Sequence, residues 1–122
     1  MPVLAGVFAV LAAVLHVAIF AMESVLWTRP AVYRRFGVAS DADAITTKPL
    51  AFNQGFYNLF LAVGIIVGVI IGGTAGLTLV AFGCSCIVAA AAVLASTGSA
   101  YFRAAATQAL FAVIALVLLA VL

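Results

Sequence analysis

Charge is what this chain has least of. Asp, Glu, Lys and Arg make up 7% of its 122 residues, against 69% apolar residues and a mean hydropathy of +1.43. Soluble domains carry about 25% charged and about 45–50% apolar residues. A soluble enzyme, a nucleic-acid binder and a disordered segment are therefore excluded. Cysteine is almost as scarce. Cys84 and Cys86 stand two apart in an apolar run, about 200° around a helix, so they cannot bond to each other and read as small packing residues. There is no phosphate loop, no set of paired metal ligands and no haem attachment motif, so neither cofactor nor metal is expected. The N-terminus has no basic stretch, and its apolar run outlasts the usual ~7–15 residues of a signal-peptide core. It reads as an uncleaved spanning helix.

What the chain does have is four long apolar runs. A spanning helix needs about 20 apolar residues, and spans are expected at about 3–27, 50–71, 75–94 and 101–122, with one polar loop at 28–49. Pro49 suits a first helical turn, and Thr46 and Thr47 before it suit helix caps. Gly72-Gly73-Thr74 and Ser96-Thr97-Gly98-Ser99 break the later spans. Short connections make consecutive helices antiparallel neighbours. The expected fold is an all-α, integral-membrane, four-helix up-down bundle in a single domain.

The basic residues orient it. Arg29, Arg34, Arg35 and Lys48 lie in the first loop and Arg103 follows the third connection. Those two connections share a side, which the positive-inside rule makes cytoplasmic, so both termini face outward. Trp27, Tyr33 and Tyr101 are expected as interface aromatics there. Ala31–Phe36 could form one surface turn, with its arginines against anionic headgroups.

Polar residues inside spans are costly and by default mark function. His16, Glu23 and Trp27 fall within about 40° of one another on the first helix. On the second, Asn53, Tyr57, Gly64 and Gly68 share one side, flanked by Gln54 and Gly72, with Asn58 at its edge. Phe52, Phe56, Leu59, Ile66 and Ile70 oppose them. The G-x-x-x-G steps at Gly64, Gly68 and Gly72 suit close helix approach, so the polar side is expected to be the packed one. The last helix adds Arg103, Thr107 and Gln108, and Arg103 could pair with Glu23.

The run His16, Glu23, Trp27, then Phe36-Gly37, Lys48 and Asn53-Gln54-Gly55-Phe56-Tyr57-Asn58 with Leu61-Ala62 resembles a bacterial membrane family called domain of unknown function 1304. Gln108 matches a glutamine in that family's last helix. The resemblance covers nearly the whole chain. It implies a four-helix protein of the bacterial inner (plasma) membrane and no particular activity.

The residues themselves suggest a polar intramembrane pocket near the cytoplasmic side, taking a hydrophobic or amphipathic small molecule. A carboxyl among apolar side chains can hold a proton and deliver it. Glu23 is then the candidate acid or base and His16 its partner, in isomerase or epoxide-opening chemistry. Trp27, Asn53, Gln54, Tyr57, Asn58, Gln108 and Arg103 are the candidate substrate contacts. A proton-coupled carrier and a structural subunit remain as alternatives. The small-residue faces suggest a homo-oligomer, and no nucleic-acid partner is expected.

Overall fold

A computed structural model describes residues 1–122. The chain is helical almost throughout. Helix α1 spans Val3–Phe20 and runs on through a π-helical turn at Ala21–Val25. Helix α2, Pro30–Tyr33, continues as a 3-10 turn at Arg34–Phe36. Helix α3 spans Asp41–Ile71 and α4 Gly73–Ser96; α5, Phe102–Val121, follows a 3-10 turn at Ser99–Tyr101. Four stretches, Val3–Val25, Asp41–Ile71, Gly73–Ser96 and Ser99–Val121, are long and apolar enough to cross a membrane. The molecule is a small multi-pass membrane protein with an all-α fold.

The chain divides into two compact units, Met1–Leu15 with Leu61–Leu122, and His16–Phe60. The first is a four-helix bundle. Ala9, Ala12 and Ala13 of α1 meet Ala62 and Ile65 of α3, Val80, Cys84 and Ile87 of α4, and Ala112 and Ala115 of α5 in one buried cluster. Most of these side chains are a single methyl, which lets backbones come close. That matters in lipid, where helix association depends on packing contacts rather than on escape from water. Gly72 and Gly73 turn the chain from α3 into α4, with φ of +61° and +63° that other residues rarely adopt. The two helices then run antiparallel. Gly68 lies against Gly76 and Val80, and one turn back along α3 Ile65 lies against Gly83 of α4.

The glycine side of α3 thus departs from the sequence expectation. Gly68 packs, but a side chain at Gly64 would meet nothing within 4 Å. The buried positions of α3 are Ala44, Ala51, Gly55, Asn58, Ala62, Ile65 and Gly68, while Asn53 and Tyr57 point outward. The reason is that the small residues matching α3 sit on its neighbour. Gly83 forms the hole and Ile65 fills it, so a bulky residue marks the packed side.

In the second unit the first loop is shorter than expected, because α3 begins eight residues before Pro49. Ser40 caps it. The Asp43 amide donates to Ser40 Oγ at 3.1 Å, and Asp41 and Asp43 occupy the first turn, where the helix dipole favours negative charge. Pro49 is an interior residue. It and Ile45, whose carbonyl it leaves without a helical donor, are both exposed, where outside groups can satisfy the carbonyl. Thr46 and Thr47 are not caps: their hydroxyls donate to the Ala42 and Asp43 carbonyls one turn back, at 3.0 and 2.8 Å.

Residues 26–40 fold over the start of α3, and the turn expected at Ala31–Phe36 falls in α2 and the 3-10 turn after it. Trp27 and Tyr33, expected as interface aromatics, are buried with Ala44 and Ala51, and Phe36 and Val38 pack against them. The Trp27 indole N–H is shared between the Ala44 carbonyl, 3.1 Å, and Thr47 Oγ1, 3.2 Å. The Tyr33 hydroxyl donates to the Asp41 carboxylate, and that bond holds the Tyr33 proton above the usual tyrosine range. Replacing Trp27 with Phe removes both indole hydrogen bonds and leaves unfilled volume in a buried place, at a cost of about 1–2 kcal/mol. Trypsin should then cut after Arg34 and Arg35 about tenfold faster, since local opening governs cleavage. An unchanged cleavage rate would mean that the indole bonds do not hold the loop.

Candidate functional site

The acidic residue of α1 sits where the helix widens. The Leu26 amide reaches back to the Ala21 carbonyl at 2.9 Å, five residues earlier, closing the π turn that contains Glu23. Single π turns inside helices are frequent at functional positions. Two contacts with α3 hold this turn. Ser24 Oγ donates to the Phe52 carbonyl at 2.8 Å. Gly55 lies so close that a Cβ there would fall 1.9 Å from Ser24 Oγ and 3.1 Å from the Phe20 carbonyl oxygen. The glycine of the N-Q-G-x-Y-N block is therefore the seat of the π turn.

One turn along α3, Asn58 reaches the carboxyl. Its Nδ2 donates to Glu23 Oε1 at 2.6 Å and to the Gln54 carbonyl at 3.2 Å. A backbone carbonyl can only accept, so the Gln54 contact fixes which end of the amide faces Glu23. Both amide hydrogens are thereby used. Glu23 is 8% exposed and Asn58 6%. Asn58 is the one side chain that acts on the carboxyl. Glu23 Oε2 receives no hydrogen bond from the chain and is not sealed from the surface. Oε1 is an acceptor occupied by Asn58; Oε2 is the oxygen that no donor of the chain reaches.

The other sequence candidates divide. His16 is fully buried two turns before Glu23, on the same helix. Its Nε2 carries no hydrogen bond, while the residue is engaged in a further interaction. Trp27 is buried and committed to the loop through Ala44 and Thr47. Asn53 and Gln54 are exposed, and Tyr57 is 65% exposed. Only the backbone carbonyl of Gln54 takes part in the Glu23–Asn58 arrangement. Arg103 is exposed and Gln108 half-buried, both in the four-helix unit. An open groove of about 550 Å³ belongs to that unit too, and its lining, which includes Pro2, Val7, Leu11, Val69 and Gly72, is apolar. Within the His16–Phe60 unit, the polar groups that meet are a carboxyl, an amide and their supports.

Ser24 and Gly55 are the contributors that sequence reasoning missed. The available signal was a serine next to the only acid of the first span, and a glycine inside an otherwise polar block.

Comparison with known proteins fits this molecule. A family model described as "Protein of unknown function (DUF1304)" matches residues 10–120. No curated protein and no solved structure matches.

Proposed function

The chain belongs to the DUF1304 family, whose function is unknown, and on that premise we propose that Glu23 and Asn58 form an intramembrane binding site for an amphipathic small molecule. The observation that carries the reading is the half-used carboxyl. Asn58 donates one hydrogen bond to Oε1, and Oε2 is left for a partner from outside the chain. A charged acid costs about 2.5–3.5 kcal/mol at the centre of a span on insertion scales and less towards its end, where Glu23 lies, whereas an interhelical hydrogen bond in a membrane returns about 0.6 kcal/mol on average. A bound donor group at Oε2 adds to what Asn58 returns. The same geometry supports proton delivery from Oε2, with Asn58 fixing the carboxyl plane. His16 is the second titratable group of this segment and Trp27 anchors the loop above it.

The basic loop supports an orientation with residues 26–40 on the cytoplasmic side of the plasma membrane. The outward Asn53, Gln54 and Tyr57 support contact between copies, because polar groups in a span seek polar partners.

The test is native mass spectrometry of the full chain from a gentle membrane extract, with wild type and Glu23→Gln side by side. The glutamine keeps an acceptor for Asn58 and removes the acid. A reproducible small-molecule mass on the wild type, absent from a folded Glu23→Gln protein of the same oligomeric size, is expected. Identical ligand-free spectra for both proteins would sink the reading and leave the pair as a packing contact.

A further inference from the structure

Resting on that reading of the site, we infer that the Glu23 site takes a lipophilic organic cation, and takes it in exchange for a proton. The half-used carboxyl is again the starting point, now with attention to charge. Glu23 makes no ion pair, and its only side-chain partner, Asn58, is neutral. The cations of its own unit, Arg29, Arg34, Arg35 and Lys48, are all exposed. Asp41 and Asp43 are exposed at the start of α3, Tyr33 is bound to Asp41, and His16 lies two turns back along α1. The other unit contains a single charged side chain, Arg103, also exposed. Within the His16–Phe60 unit, no element presents a charged group to this carboxyl.

A buried carboxylate with no counter-charge is very unfavourable, so the group holds either a proton or a cation. An anionic ligand would meet at most the single O–H of the protonated acid and no positive charge, since both Asn58 hydrogens are in use. A cation lets the carboxylate exist. The surroundings set its other property. Glu23 is nine-tenths buried in an apolar helix pair whose Phe20 and Phe56 rings meet edge to face with centroids 5.1 Å apart. Such a place favours a cation with a greasy, weakly hydrated body, and aromatic faces add to the attraction. The exchange is balanced. The carboxylic acid loses the O–H proton to bulk water as the cation arrives, and the site gains one neutral carboxylate–cation pair. No bond forms to the ligand.

The experiment uses the purified full chain in detergent and three probes of similar shape: tetraphenylphosphonium, tetraphenylborate and neutral triphenylmethanol. The phosphonium is expected to bind wild type and to release about one proton per cation into weak buffer. Its affinity should fall about tenfold per unit as pH drops through the range where Glu23 is protonated. Glu23→Gln should lose both the proton release and the pH dependence. If that variant misfolds, the wild-type proton count and pH profile decide by themselves. Glu23-dependent binding of triphenylmethanol or tetraphenylborate without the phosphonium would overturn the cation inference and leave the binding site standing. Phosphonium binding with no proton release at any pH would overturn it as well. If no probe distinguishes wild type from Glu23→Gln but a copurified ligand does, the cation inference falls alone. If nothing distinguishes them, both fall.

Discussion

Replacing Gly76 by leucine should take the four-helix unit apart, with a loss of about 3 kcal/mol or more. A Cβ at this position would lie 2.3 Å from the Gly68 carbonyl oxygen. That neighbour is backbone on the facing helix, so no rotamer change relieves the clash. The helices must move apart, and the Ile65–Gly83 contact and the alanine seams move with them. Gly68→Leu should behave similarly, because its Cβ would meet the Gly76 carbonyl oxygen at 2.8 Å. Gly64→Leu is the control. It has open space around it and should leave the thermal midpoint in detergent within a few degrees of wild type. Equal midpoints for Gly76→Leu and Gly64→Leu would refute the proposed seam between α3 and α4.

Asn58→Leu should cost about 2 kcal/mol in wild type, because the carboxyl loses its one donor and stays buried. In a Glu23→Gln background the same change should cost only about 0.6 kcal/mol, the ordinary worth of a neutral interhelical bond in a membrane. Unfolding in mixed micelles of the four proteins, single and double variants with wild type, gives the difference directly. Equal costs in both backgrounds would mean that Asn58 makes a neutral packing bond and nothing more. A large difference ties the asparagine to the acid character of residue 23, which the binding reading requires.

How far these features could be read in the sequence varies with the physics behind them. The four helices were legible because their cause is simple: each is a long apolar run, and a backbone in lipid has to be helical. The burial of His16 and Glu23 was legible because an acid and an imidazole do not face hydrocarbon. The packed side of α3 was not. Gly64, Gly68 and Gly72 form a regular series, yet only Gly68 lies in the close approach to α4. Which glycine is used depends on where the facing helix puts its own small residues, and one sequence segment does not contain that. The start of α3 was missed for a related reason. Residues 41–48 look like loop because three of them are charged and Pro49 follows. Ser40 supplies the cap and the two aspartates suit the helix N-terminus, so the same polar residues favour a helix. Trp27 and Tyr33 were read by type, as amphipathic rings at an interface. Their burial depends on acceptors seventeen and eight residues further along, Ala44 and Asp41.

The burial of Trp27 has a practical consequence. It is the only tryptophan in the chain, so the intrinsic indole emission of this protein has a single source. That source sits in the folded connection over α3, 5.2 Å from the Phe36 ring, and takes no part in the alanine-lined bundle. A red shift of the emission therefore times the undocking of the connection by itself, while far-ultraviolet dichroism follows the helices. Run together on one sample, the two signals separate an opening at the basic side from the loss of the fold, with no label attached.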